Sequence, residues 1–355
     1  MKLVATCGAG LEGLLAVELR SLGHDVDEQV GAVTFEGTAE QAVDAVLRLR
    51  TANRVLIDLG GWAASNQEDL YRGAFKLIRA RKDSLFAPSQ TLAIRASTSA
   101  SMMMDVRYVA LKVKDAVVDA QRERWGTRSN IDREAPQLPL RLRLHRNRAT
   151  LLLDACGVPL DHRGYRKTST AAPLRETLAA GAILASGWTG EGPVVDPMCG
   201  SGTLLVEAAW IAQGRSPQTL RGDFPWLDFP DFPRRPQLGA LLRPPPLFGG
   251  DINVRALEAT RENLRAAGLQ VKLRRGDAMR CKRPGPRGLL TLNPPYGHRL
   301  EGIDWHALDT WLRTWSGWHV VLVAAETPGL ELEPERVLNV RNGPLSVRIL
   351  CFSIP

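Results

Sequence analysis

No stretch of this chain approaches the ~18 consecutive apolar residues of a membrane-spanning helix. The start, MKLVATCGAG, offers only Leu3, Val4 and Ala5 as an apolar run before Cys7, short of the ~7–15 residues of a signal core. It reads as a first β-strand. The five cysteines (Cys7, Cys156, Cys199, Cys281 and Cys351) are odd in number, far apart and contain no C-x-x-C pair. Neither a disulfide framework nor a zinc site is suggested. No internal repeat of ~20–50 residues is visible. Acidic residues are in deficit: 38 Asp+Glu face 46 Lys+Arg, a net charge of +8. That balance points weakly to a polyanionic partner. What remains is an ordinary globular composition, 44% apolar and 24% charged over 355 residues, enough for two or three domains. The chain is expected to be cytoplasmic and free of metal.

The first third alternates short strands and amphipathic helices. Residues 2–6, 30–36 and 54–59 read as strands, and 10–22 as a helix with Leu11, Leu14, Leu15, Leu19 and Leu22 in a stripe. Thr38 with Gln41 three residues on forms a capping box that opens a helix to about residue 50. Residues 67–81 and 103–124 read as helices, the second with Val106, Val109, Ala110, Val113, Ala116 and Val117 as its apolar face. A short strand at 92–96 and a hairpin of 138–144 with 149–154 complete this part. A linker-like stretch, 157–170, leads to a helix at 173–186 with Pro173 in its first turn. Strands at 194–196, 247–250, 270–275, 289–292, 319–325, 336–340 and 345–352 then alternate with helices as in a doubly wound α/β domain. Residues 214–246, rich in proline and holding Phe224, Trp226, Phe229 and Phe232, read as an irregular excursion.

The strand at 194–196 ends in Asp196-Pro197-Met198-Cys199-Gly200-Ser201-Gly202-Thr203 and opens a helix. The glycines allow a tight turn and close approach of a ligand to the backbone. The pattern lacks the third glycine of the dinucleotide fingerprint and the G-K-[ST] of a P-loop. Asp196 would also repel a phosphate. A carboxylate there suits a cationic or hydroxylated ligand such as S-adenosylmethionine (SAM). The next strand ends in Asp251 and the third in Asp277-Ala278. An acid at the second strand end is where ribose hydroxyls are held in such folds, though single strand-end aspartates also serve as caps and turn formers.

Asn293-Pro294-Pro295-Tyr296 ends the fourth strand of this domain, beside the glycine-rich one. In isolation it reads equally well as a turn. At that place the chemistry fits a planar exocyclic amine, a poor nucleophile because its lone pair is delocalised. The Asn293 oxygen and the Pro294 carbonyl accept its two hydrogens and aim the lone pair at a methyl group. The prolines make the array rigid, and Tyr296 offers a stacking face. Alignment, not a strong base, supplies the acceleration.

These two motifs resemble an amino-directed SAM-dependent methyltransferase. With His162-Arg163-Gly164-Tyr165-Arg166, the segment from Ala172 to Ala180, Leu204 to Ala209, Gly10-Leu11-Glu12, the 112–119 helix and Asn342-Gly343-Pro344-Leu345, nearly the whole chain resembles the bacterial 23S rRNA guanine-N2 methyltransferase family. The resemblance implies an α/β fold: a ferredoxin-like α+β piece (1–60), a THUMP RNA-binding domain (61–156) and a Rossmann-like methyltransferase domain (157–355). It implies SAM as cofactor, held by 196–203 and Asp251, with Ile252, Asp277 and Ala278 around the adenine, and catalysis by Asn293, Pro294, Pro295 and Tyr296. The fused second methyltransferase of some relatives is absent here, so one methylation is expected. His298 departs from the acid that relatives commonly carry after the motif.

The expected partner is RNA, 23S rRNA or a ribosomal precursor, with no membrane and no obligate protein partner. Arg141, Arg143, Arg146 and Arg148, and Arg72, Lys76, Arg79, Arg81 and Lys82, are candidate phosphate contacts or merely solvated faces. Arg274, Arg275, Arg280, Lys282, Arg283 and Arg287 sit where they would steer RNA towards Asn293. A tRNA guanine-N2 enzyme, an adenine-N6 enzyme and a non-catalytic RNA-binding factor remain alternatives. Because the crevice comes wholly from later strands, residues after 154 are expected to bind SAM alone.

Overall fold

The computed structural model describes residues 1–170, 173–236, 239–294, 304–324, 329–342 and 345–355. The first part runs β1 (Lys2–Thr6), α1 (Glu12–Ser21), β2 (Val26–Gln29), β3 (Ala32–Glu36), α2 (Ala39–Arg48), β4 (Arg54–Ala63), α3 (Gln67–Ala80), β5 (Leu92–Ser99), α4 (Val106–Trp125), β6 (Leu138–His145) and β7 (Arg148–Asp154). These strands form one sheet in the order β2-β3-β1-β4-β7-β6-β5. The long β4 pairs with β1 on one side and β7 on the other, so the ferredoxin-like and THUMP units share a sheet.

Local chemistry explains most boundaries. The capping box at α2 is complete: Thr38 accepts from the Gln41 N–H while Gln41 caps the Thr38 N–H. The turn between β6 and β7 places Arg146 and Asn147 at φ 48° and 56°, the geometry a tight hairpin requires. Three readings need correction. The single strand expected at 30–36 is a hairpin whose outer strand, Val26–Gln29, is exposed and polar and so shows no alternation. Helix α4 begins at Val106 because Asp105 accepts from the N–H groups of Arg107 and Tyr108. Val106 itself is exposed, and the buried stripe is Val109, Val113, Ala116, Val117 and Ala120.

The second part runs α5 (Glu176–Ala185), β8 (Val194–Asp196), α6 (Thr203–Ala212), β9 (Leu247–Asp251), α7 (Val254–Ala266), β10 (Lys272–Arg275), β11 (Gly288–Leu292), α8 (Trp305–Leu312), β12 (Trp318–Ala324), β13 (Arg336–Asn342) and β14 (Leu345–Ser353). Its sheet has the order β10-β9-β8-β11-β12-β14-β13, parallel except at β12–β14 and β13–β14. This is the Rossmann-like sheet expected, and its order reverses between β8 and β11, where such folds bind ligands. Pro173 lies ahead of α5, whose N-cap is Arg175, and not in its first turn.

Residues 157–170 are a packed strap and not a free linker. Leu160 and Tyr165 are buried, and Arg163 pairs with Glu207 of α6 at 3.4 Å with both side chains fully enclosed. Arg163 also donates to the carbonyls of Leu160 and Arg50. Arg50 in turn donates to the carbonyls of Trp210 and Arg215. The excursion at 214–246 is also anchored: Phe224, Trp226 and Phe229 are buried, and Arg221 donates to the carbonyls of Cys156 and Val158. Near the N-terminus, the Ala9 carbonyl accepts from the Arg341 N–H at 2.9 Å. A Cβ on Gly10 would fall 1.9 Å from the Asn339 carbonyl, so only glycine permits that approach. One apolar core therefore runs through both parts. The crevice is built from residues after 154, but a cut there would expose α5 and α6 faces that the first part buries.

Candidate active site

β8 and β11 are parallel neighbours, with Val194 beside Leu289 and Val195 beside Leu290. Asp196 and Asn293 therefore leave adjacent strand ends at the same sheet edge. They line one small cavity together with Met198, Cys199, Gly200, Ser201 and Thr203 of the glycine-rich turn. Thr170, Pro173 and Leu174 close its other side.

The turn is held from several directions. Gly202 is the N-cap of α6 at φ 82°, and a Cβ there would lie 2.6 Å from Leu264. The Cys199 N–H donates to the Gly250 carbonyl at 2.8 Å. Asp251 uses both carboxylate oxygens: one accepts from the Gly200 N–H at 3.1 Å and the other from the Asn253 N–H at 2.8 Å. The acid of the second strand thus fixes the turn of the first, with lone pairs left over for a diol. Ile252 beyond it is 70% exposed, Ala278 is buried, and Asp277 is exposed and caps a short turn through the Met279 N–H. Pro197 points away from the cavity, into a neighbouring groove. Pro294 is buried behind Asn293. Pro295, Tyr296 and His298 lie outside the described residues.

Asp196 is 2% exposed. Burial, reinforced by the nearby Asp251, pushes its carboxyl up to about 7, against the lowering effect of the Met198 N–H and the Thr291 hydroxyl. A buried acid poised this way on a cavity wall fits the cationic end of the cofactor expected from the sequence. A pH dependence follows. Below the ordinary carboxylate range Asp196 is protonated folded and unfolded. Between the ordinary carboxylate range and about 7 the unfolded carboxyl is ionised while the buried one keeps its proton, so the free protein loses stability as pH rises over that interval. A cationic ligand instead gains affinity over the same interval. Asp196→Asn should flatten both dependences, read by denaturation midpoints and calorimetry from pH 5 to 8. Burial likewise pushes the Cys199 thiol up, which disfavours its thiolate form.

Two residues of this site escaped the sequence reading as parts of it. Arg166 donates to Glu176 at 2.8 Å, to the Ser201 and Thr203 hydroxyls at 3.0 Å each and to the Leu174 carbonyl at 2.9 Å. It ties the α5 side of the cavity to the turn. Asn263 of α7 donates to the carbonyls of Ser201 and Thr168 and accepts from the Lys167 and Thr168 N–H groups. The signal for Arg166 was its place in His162-Arg163-Gly164-Tyr165-Arg166, a charged and aromatic cluster inside an apparent linker.

Several candidate RNA contacts are already engaged. Arg141 is half-buried and donates to Asp154 at 2.7 Å, where Arg54 also pairs. Arg72 pairs with Glu68, Arg79 with Glu123 and Arg81 with Asp83. Arg283 donates to the Ser316 carbonyl, and Arg287 pairs with Glu191 at 3.2 Å.

Asp251→Ala removes acceptors that serve both the turn and a bound diol. Charge-assisted hydrogen bonds contribute about 1.5–3 kcal/mol, so SAM affinity should fall about 10- to 100-fold in calorimetry. Unchanged affinity would take Asp251 out of the site.

Residues 2–56 match the RlmL ferredoxin-like domain, 64–154 the THUMP domain and 163–304 the RMKL-like methyltransferase domain. The chain is 36% identical, over 388 aligned positions, to a protein of Syntrophotalea carbinolica named ribosomal RNA large subunit methyltransferase K/L. That match covers 100% of this chain and 54% of the relative, so the chain spans about half the relative's length. Among solved structures, a possible methylase from Clostridium difficile 630 superposes with a TM-score of 0.85 at 26% identity, covering 100% of this chain and 98% of that one. A putative methyltransferase, SMU.472, complexed with SAH, gives 0.84 at 27% identity with the same coverage. With all three matches in this order, the chain has the RlmL-like architecture, a ferredoxin-like and a THUMP domain joined to an RMKL-like methyltransferase domain.

Proposed function

We propose that the protein transfers a methyl group from SAM to the exocyclic N2 amine of a guanine in 23S rRNA or a ribosomal precursor, in the cytoplasm. The observation that carries this reading is the convergence of Asp196 and Asn293 on one cavity. The name of the Syntrophotalea relative and the SAH in SMU.472 support the substrate and the cofactor. Among the described residues no helix is long and apolar enough to cross a membrane.

SAM, when bound, supplies an electrophilic methyl group. The turn 196–203 encloses its methionine end, and Asp196 faces the ammonium. Asp251 accepts from the ribose hydroxyls, while Ile252, Asp277 and Ala278 flank the adenine. Asn293 and the Pro294 carbonyl accept the two amine hydrogens of the guanine, and Pro295 and Tyr296 complete the catalytic motif by stiffening it and stacking on the base. Residues 61–156 serve as the RNA-reading unit.

The test is transfer of an isotope-labelled methyl group into purified large-subunit rRNA, tRNA and DNA. Label on guanine N2 of large-subunit rRNA is the expected result. Label on adenine, or on tRNA alone, would replace this reading.

A further inference from the structure

Strands β8, β9 and β10 are covered by α6 and α7 on one face only. On the opposite face the connection from β10 to β11 holds a single short turn, Ala278–Arg280, and the core that α8 forms with β11, β12 and β14 reaches only as far as Val195 of β8, with Phe248 and Cys281 packed at its margin. No helix among the described residues therefore covers that face of β9 and β10. A groove of about 260 Å³ lies there. Its floor is apolar: Val195, Pro197, Phe248, Cys281 and Pro284. Its rim carries three exposed cations, Lys272, Arg274 and Lys282, against one acid, Asp277. Neither lysine is engaged in a salt bridge among the described residues. Lys272 hangs over the Phe248 ring with its Nζ 5.4 Å from the centroid. The groove abuts the expected cofactor cradle, sharing Pro197 and Asp277 with it, while neither Asp251 nor Ile252 lines it.

Its position ties it to the chemistry. Along the end of β8, Asp196 and Met198 line the catalytic cavity while Val195 and Pro197 line the groove. Pro284 at the groove's end leads directly into β11, which carries Asn293.

We infer that this groove holds a single-stranded stretch of the RNA substrate beside the target, with one base on the Phe248 ring and its phosphates on Lys272, Arg274 and Lys282. This rests on the reading of the protein as an RNA methyltransferase. An apolar floor with an aromatic face and a cationic rim is what unpaired nucleotides require: every base has a face to stack, and every phosphate needs a countercharge. Lys272 is flexible, so it can leave the ring for a phosphate when a base arrives. An acidic peptide would find the cations but would leave the ring face without a flat partner.

The experiment uses the full chain, a fluorescent single-stranded oligoribonucleotide, a large-subunit rRNA fragment and, separately, SAM calorimetry. Lys272→Glu with Lys282→Glu should weaken RNA binding about tenfold or more and lower the salt slope by about 0.7 for each phosphate no longer neutralised, with SAM affinity unchanged. Phe248→Leu should weaken RNA binding about 5- to 100-fold by loss of stacking, leaving the salt slope as in the parent. Parental RNA affinity and salt slope in these variants, with parental SAM affinity, would overturn the groove while leaving the methyltransferase reading intact. Loss of SAM affinity in the lysine pair would also overturn it, by making the groove part of the cofactor site. A parent protein that methylates no RNA would fail the functional reading itself.

Discussion

Replacing Asn293 with alanine is expected to lower methyl transfer about 10²–10³-fold, the effect of removing one preorganised polar group from a reacting centre. SAM affinity should stay near the parental value, since the side-chain oxygen is assigned to the substrate amine. Asn293 follows the wholly buried β11, and Leu292 and Pro294 on either side are buried, so the backbone stays fixed when the side chain is cut back. The effect belongs in kcat and not in KM, because the hydrogen bonds matter most as the nitrogen leaves planarity. Near-normal kcat with intact SAM binding would reduce this motif to a turn and remove amine methylation from the account.

The largest effect on stability is expected from Arg163→Met. Glu207 is fully enclosed and its carboxyl is pushed up by burial, with Arg163 and Arg50 as the cations that hold it down. Removing one partner of a buried pair costs about 3–5 kcal/mol, because the remaining charge is left uncompensated. Replacing both, as Arg163→Met with Glu207→Leu, should recover much of the loss. Urea midpoints at constant m-value measure both. A loss within about 0.5 kcal/mol for the single variant, the range of an ordinary surface substitution, would mean that the pair does not hold the strap to α6. Because α6 begins at the glycine-rich turn, the single variant should also weaken SAM binding, whereas the double variant should not.

The particular errors of the sequence reading share a cause. Features written in neighbouring residues were legible: the Thr38–Gln41 capping box, the β6–β7 hairpin, and the acids and Asn293 at strand ends. Features that depend on distant partners were not. Arg163 and Arg166 lie in a stretch with no periodicity, and only the fold brings Glu207, Glu176 and the turn hydroxyls to them. The polar outer strand Val26–Gln29 carries no apolar alternation, since neither of its faces is fully buried. The shared sheet was hidden for a related reason. β4 reads as the end of one unit, but its two edges pair with strands about 50 residues before it and about 100 after it. The basic clusters were legible as charge, but charge alone does not tell which arginines are already paired, as Arg141 is with Asp154.

The central claim is that this protein places a methyl group on guanine N2 of large-subunit rRNA through the site at Asp196 and Asn293. Nucleoside mass spectrometry of rRNA and tRNA tests it directly, in cells with the protein, in cells lacking it, and in the latter carrying either the parent or Asn293→Ala. The account predicts that N2-methylguanosine in large-subunit rRNA falls on deletion, returns with the parent and stays low with Asn293→Ala. Unchanged N2-methylguanosine across these cells, or restoration by Asn293→Ala, would contradict it.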